Sequence, residues 1–265
     1  MNKFFRLGAA LVFCGIVLKT LSCMSSAAEA KNWFIKRNGN STPGFPEFSS
    51  ELSRYGGYYI DKDAVKNNKK RLYLTFDAGY DNGNLEKILD TLKSENVPAA
   101  FFILKNLIYK DADLVCRMAE EGHLVCNHTA THKNLTKSNK EEVENELCAL
   151  ENIYTKQTGR LMSKYFRFPE GKYSLDCIKH VNELGYKTVF WSFAYEDWDN
   201  CNQPSENYAI KKIMDNTHNG AVLLLHPNSK TNATILPELI RLWKAQGYEF
   251  CSLNDLVEFN KPSSQ

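Results

Sequence analysis

From Arg71 to Phe259 short β-rich runs alternate with amphipathic helical runs, and that alternation limits the fold more than any other feature of the chain. In residues 71–82, RLYLTFDAGYDN, Leu72, Leu74 and Phe76 alternate with Tyr73 and Thr75, which predicts a buried strand. The run ends at Asp77-Ala78-Gly79, where a carboxylate precedes a glycine that can turn the chain; alone, that triplet is a turn. Leu85, Ile88, Leu89 and Leu92 predict the following helix. Ala99–Ile103 predicts a second strand, followed by a helix through Leu114, Val115, Met118 and Ala119. Leu124–Asn127 predicts a third strand, and Ser138-x-x-Glu141 reads as a capping box opening a long helix through Val143, Leu147, Leu150 and Tyr154. Residues 165–167, 188–191 and 221–225 predict further strands, separated by helices through Ile178, Val181 and Leu184 and over 207–216. A helix over 232–246 and a last short pair, 249–252 and 254–259, complete the series. Such alternation implies parallel pairing and an α/β fold, and about seven units suit a distorted (β/α)7-8 barrel better than an open sheet. Residues 71–260 read as one domain.

Residues 1–30 read as an export signal: Lys3 and Arg6, an apolar run over 7–18, then Ala28-Glu29-Ala30 as a small-x-small cleavage site. The apolar run is shorter than the about 20 residues that span a bilayer. An uncleaved anchor, and with it membrane attachment, is the alternative. Residues 31–70 lack periodicity, but Trp33, Phe34, Phe45, Phe48, Tyr55, Tyr58 and Tyr59 predict an extension packed on the barrel, or a carbohydrate-stacking surface. The basic cluster over 66–71 reads as a solvated turn.

Beyond residue 30 the chain keeps 30 basic and 30 acidic side chains, because the leader removes Lys3, Arg6, Lys19 and Glu29. That balance offers no electrostatic footprint for nucleic acid. Six cysteines remain, at 116, 126, 148, 177, 201 and 251, with no Cys-x-x-Cys pair. Several sit in apolar patterns, so buried free thiols are expected rather than disulfides or a cysteine zinc site. A monomer is expected.

The polar residues that break these patterns share one location. Asp77 follows the first strand, His128 and His132 the third, Arg167 ends the fourth, Asp197 lies after the fifth and His226 follows the sixth. All fall at carboxyl ends of strands, the rim where such barrels build active sites. Two histidines four apart on one face of a helical turn can both reach a divalent metal, and a metal lowers the pKa of water from about 15.7 toward ~7. Asp77 beside it could take a proton from that water. His226 could protonate a leaving group, with Asp197 fixing its tautomer and raising its pKa. Arg167 could pair with Asp77.

In order along the chain, Thr75-Phe76-Asp77-Ala78-Gly79, His128-Thr129-Ala130-Thr131-His132, Arg167-Phe168-Pro169-Glu170-Gly171, Asp197-Trp198 and Leu224-Leu225-His226 resemble five motifs of the polysaccharide deacetylase (NodB-type, carbohydrate esterase 4) family. The resemblance covers roughly 71–259. It implies a NodB-type distorted barrel and a divalent metal (Zn, or Mn, Co or Mg) held by His128 and His132. It further implies Asp77 as catalytic base, His226 as acid, Arg167 and Asp197 as their partners, and an oxyanion met by the metal and a backbone N–H near Tyr80. Tyr80, Pro169, Glu170, Trp198 and Leu224 are then expected to bind substrate. Flanking residues, among them Trp33-Phe34, Tyr58-Tyr59, Phe190-Trp191-Ser192 and Ala194, look most like the branch that de-N-acetylates muramic acid in peptidoglycan on the route to the muramic δ-lactam of spore cortex. That implies an exported protein of the cell envelope working on glycan strands.

Two positions depart from the pattern. Ala78 stands where the family has an aspartate as third metal ligand, so weaker metal binding is expected, with His128 and His132 joined by water or Asp77. Glu170 stands where the muramic branch often has an arginine suited to the lactyl carboxylate. A deacetylase of N-acetylglucosamine polymers and a non-catalytic glycan-binding module are the competing expectations; glycoside hydrolysis lacks its paired carboxylates.

Overall fold

The computed structural model describes residues 29–261. The expected leader thus lies, up to residue 28, outside the described residues. The chain runs through β1 (Lys31–Asn32), β2 (Gly57–Tyr58), α1 (Lys62–Lys66), β3 (Arg71–Ala78), α2 (Leu85–Glu95), β4 (Ala99–Ile103), α3 (Lys105–Lys110) and α4 (Ala112–Glu120). It continues through β5 (Leu124–Asn127), α5 (Lys140–Thr158), β6 (Ser163–Phe166), β7 (Lys172–Tyr173), α6 (Leu175–Glu183) and β8 (Lys187–Val189). The last elements are α7 (Glu206–Met214), β9 (Ala221–Leu225), α8 (Lys230–Ala245), β10 (Glu249–Phe250) and α9 (Leu253–Phe259).

Eight strands form one sheet in the order β10-β3-β4-β5-β6-β8-β2, with β9 also on β3, and every ladder is parallel. The sheet curls into a half-barrel. Isolated bridges from Phe193 to Leu223 and from Ile60 to Ala221 link the β8 and β2 side back to β9. The period of two sorts β3 cleanly: Leu72, Leu74, Phe76 and Ala78 enter the apolar layer shared with α2, α4, α7 and α8. Tyr73 faces inward, packed with Ala100, Phe102, Val222 and, from α9, Leu253 and Leu256. Thr75 and Asp77 share the parity of Tyr73, so both point inside the curl.

The first 40 described residues complete this architecture. β1 pairs with β7, and β2 adds the edge strand beside β8. Trp33 is buried, stacked on Phe190 at a centroid distance of 4.5 Å and packed with Phe45 and Tyr59. Trp33 and Tyr59 thus serve the core, Phe45, Phe48, Tyr55 and Tyr58 are half-buried against it, and Phe34 stays exposed.

Two local expectations change. The capping box of α5 lies one residue later: Asn139 Oδ1 accepts from the Glu142 amide at 2.9 Å, and the Glu142 carboxylate accepts from the Asn139 amide at 3.0 Å. The cluster over 66–71 is not one solvated turn. Lys66 ends α1, and Arg71 is buried in β3, its Nη1 3.0 Å from both Asp61 and Asp63, because a guanidinium under the barrel needs carboxylate partners. Tyr73 Oη donates to the same Asp61 at 2.7 Å. All six cysteines described are free thiols.

Candidate active site

The carboxyl ends of the parallel strands surround a cavity of about 690 Å³. Asp77, His128, His132 and His226 line it, with Tyr80, Glu170, Trp198 and Leu224 on its walls. Arg167 and Asp197 are fully buried behind it. Pro169 is buried and does not line the cavity; it opens the turn that presents Glu170 and Gly171.

Asp77 is held from behind. Arg167 Nη1 donates to its Oδ1 at 2.7 Å, Nη2 donates to Thr75 Oγ1 at 2.8 Å and Nε to the Val189 carbonyl at 3.0 Å. The Thr75 hydroxyl in turn donates to the Leu223 carbonyl at 2.6 Å, and the guanidinium lies over the Phe102 ring. Burial by itself would raise the Asp77 pKa. The charge of Arg167, with lesser help from His128 and His226, outweighs it and holds the carboxyl below the usual carboxylate range.

His226 is held in the same manner from the opposite side. Its Nδ1 lies 2.7 Å from Asp197 Oδ1, and its backbone amide donates to Asp197 Oδ2 at 2.8 Å. Asn232 Nδ2 donates to that Oδ2 at 2.6 Å, and Tyr195 Oη donates to Asn232. The carboxylate needs a proton on Nδ1, which leaves Nε2 for the cavity. Burial would lower the His226 pKa; the Asp197 charge and hydrogen bond overcome it, and the imidazole titrates above its ordinary value.

His128 and His132 do come together, with ring centroids 5.0 Å apart, but not on a helical turn. Residues 128–135 are irregular, with Thr129 and His132 both at positive φ, 71° and 61°. Asn127 Oδ1 accepts from the Thr129 amide at 2.9 Å, and Glu146 accepts from both the Thr131 amide and hydroxyl, which fixes this loop against α5. Asn68 and Asn96 are ordinary occupants of positive φ; the other non-glycine residues there among those described are Thr129, His132 and Glu170, all in the cavity loops.

The donor set suits two positions of a divalent cation. His128 Nδ1 faces the Arg167 carbonyl at 2.8 Å, so it carries the proton and leaves the Nε2 lone pair free. Burial pushes its pKa down to about 4, so the ring is neutral, as a ligand must be. Nε2 lies 3.5 Å from Asp77 Oδ2. The Ala78 methyl packs in the apolar layer, and among the described residues no three His, Cys, Asp or Glu side chains are arranged to hold a metal. The described residues offer these two imidazoles and no third protein ligand.

Glu170 lines the cavity with its carboxylate paired to Lys172, which with lesser influence from His132 holds it below the ordinary range. Trp198 and Tyr80 are 55% and 39% exposed at the rim. Asn200 Nδ2 donates to Tyr80 Oη at 2.7 Å, and Asn228 Nδ2 donates to the Trp198 carbonyl at 3.0 Å, so two loops share one edge. Sequence reasoning named Thr75, Gly171 and Trp191 only within motifs, without a role of their own, and passed over Asn228 and Asn232 as site residues. Thr75 was accessible through its parity with Asp77; Asn232, on the first turn of α8, carried no signal.

Comparison with known proteins bears on the family and the fold. The family model for polysaccharide deacetylase matches residues 64–189. The chain is 35% identical to the peptidoglycan-N-acetylmuramic acid deacetylase PdaA of Bacillus subtilis over 92% of this chain and 95% of that protein. The solved structure of that relative, a family 4 carbohydrate esterase, superposes with a TM-score of 0.83 over 88% of this chain and 99% of the other. A family 4 carbohydrate esterase from Bacillus anthracis gives 0.72 at 37% identity, covering 88% and 98%. The peptidoglycan-N-acetylglucosamine deacetylase PgdA of Listeria monocytogenes is 35% identical over 71% of this chain but only 39% of its own length.

Proposed function

The chain belongs to the polysaccharide deacetylase family, and from that premise we propose that it de-N-acetylates the N-acetylmuramic acid residues of peptidoglycan, outside the cytoplasmic membrane, on the route to the muramic δ-lactam of spore cortex. It is a hydrolase that cleaves an amide C–N bond. The observation that carries the reading is that one cavity is lined both by a carboxylate biased toward its ionised form and by an imidazole biased toward its protonated form. That is the pair an amide hydrolysis needs.

Asp77 accepts the proton of the attacking water, its charge maintained by Arg167. His226 delivers its Nε2 proton to the departing amine, and Asp197 stabilises the imidazolium before transfer. His128 and His132 would hold a divalent cation, which would supply Lewis acidity toward the acetyl carbonyl and water. Tyr80, Trp198 and Leu224 receive the sugar, with Leu224 on an apolar wall suited to the acetyl methyl. The freed amine sits on the same sugar as the lactyl carboxyl and can close onto it.

Glu170 favours a second reading. A carboxylate on the wall disfavours an anionic lactyl group, which suits N-acetylglucosamine polymers. The missing third ligand at Ala78 favours a glycan-binding module without turnover. Acetate release from purified peptidoglycan stripped of some stem peptides, with and without zinc or manganese, separates them. Release confined to muramic acid supports the proposal. Release only from N-acetylglucosamine oligomers replaces it with the second reading, and no release from either leaves the binding module.

A further inference from the structure

On two walls of the cavity, the carbonyls of Gly171, Trp191 and Ala194 are satisfied by residues far upstream. The Trp33 amide donates to the Gly171 carbonyl at 2.8 Å, and Trp33 Nε1 donates to the Trp191 carbonyl at 2.9 Å. Arg37 Nη2 donates to the Ala194 carbonyl at 2.8 Å. Gly171, Trp191 and Ala194 all line the cavity. The segment that makes these bonds is itself closed by reciprocal bonds between Lys36 and Gly44, and Asn40 Nδ2 ties it to the Met214 carbonyl at 2.7 Å.

The fit at Gly171 is tight. Its φ is +65°, and a Cβ there would lie 2.7 Å from the Trp191 ring and 3.2 Å from Trp33 Cβ. The turn carrying Glu170 is therefore clamped between two tryptophans, one of them on the strap. The strap lies before residue 64, where the family match begins.

We propose that Trp33 and Arg37 are positioning residues: they hold the Glu170–Gly171 turn and the 190–196 loop in the geometry that receives glycan, and so set affinity for the sugar. The physical reason is preorganisation. Loops left to exchange their carbonyl partners with water would have to be ordered when substrate binds, and that cost is subtracted from binding. The chemistry itself is insulated, because Asp77 is fixed by Arg167 and Asp197 by Asn232 and the His226 amide. The strap should act on KM and leave kcat and the pH limits alone. This inference rests on the cavity being a glycan site.

The test compares Arg37→Ala, Arg37→Lys and Trp33→Phe in the full chain. Arg37 is exposed, so its removal leaves the core intact. Losing one such hydrogen bond should raise KM about three- to tenfold in Arg37→Ala and in Trp33→Phe. Turnover should stay within about twofold, the pH–rate limbs should not move, and Arg37→Lys should recover most of the loss. An unchanged KM in Arg37→Ala, or a loss carried by kcat, overturns the inference. If the wild-type chain releases no acetate, the same comparison is read as Kd for glycan oligomers from quenching of Trp191 and Trp198 fluorescence. The hydrolytic reading and the strap therefore fail separately.

Discussion

Arg167 reaches Asp77 from ninety residues away in sequence, with Nη1 2.7 Å from Oδ1 while no part of the guanidinium side chain is exposed. Its other nitrogens are spent on Thr75 and Val189, so the arginine cannot turn aside and the carboxylate cannot turn away. A carboxylate held this way has its orientation set by one side chain, which is also the largest influence keeping it ionised.

Replacing that side chain should therefore move a pH limit as well as a rate. Arg167 keeps the Asp77 pKa low against burial, so in Arg167→Met the pKa rises and the acid limb of kcat/KM moves to higher pH. A fall in kcat/KM of about 10²-fold or more at neutral pH is expected. A pH–rate profile whose acid limb stays in place refutes the assignment.

Removing either proton-transfer group should abolish turnover while sparing the fold. Asp77→Asn and His226→Ala should each lower kcat by about 10²- to 10⁴-fold in a domain that still folds, although each leaves a buried charge short of its partner and should lower the melting temperature. Full activity in either variant sinks the proposed roles.

The alkaline limit should belong to the His226–Asp197 pair. His226 must be protonated to act as acid, and Asp197 raises its pKa against burial. In Asp197→Asn the imidazole loses its proton at lower pH, so the alkaline limb should move down. NMR titration of the His226 ring would report the same shift directly.

Metal binding should depend on the two histidines and be weak for want of a third protein ligand. Isothermal titration with zinc or manganese should give one site per chain, abolished by His128→Ala or His132→Ala, and a chelator should lower acetate release. Binding that survives loss of both imidazoles would move the site elsewhere.

Beneath the barrel, Asp61 is fully buried and accepts from Arg71 and Tyr73, a network remote from the cavity. Asp61→Ala leaves the Arg71 charge without its buried partner and removes the side-chain cap on α1, which should cost about 3 kcal/mol or more. Thermal unfolding should show this as a drop of roughly 6–12 °C, with kcat of the folded enzyme unchanged.

By itself, the sequence determined the α/β alternation, the parallel pairing and the rim on which Asp77, His128, Arg167 and His226 lie. Each of these follows from local periodicity and from where a strand stops. The period of two also determined that Thr75 and Asp77 share a face. Tertiary structure decided what meets across the curl: Thr75 with Arg167, Asn232 with Asp197, and Trp33 with Gly171 and Trp191. It also replaced the expected helical turn at His128–His132 with a loop held in left-handed backbone by Asn127 and Glu146. Periodicity reports which face a side chain takes within its own element. Which distant carbonyl or carboxylate completes its hydrogen bonds depends on how the sheet closes, because a buried polar group takes the partner that packing brings within reach.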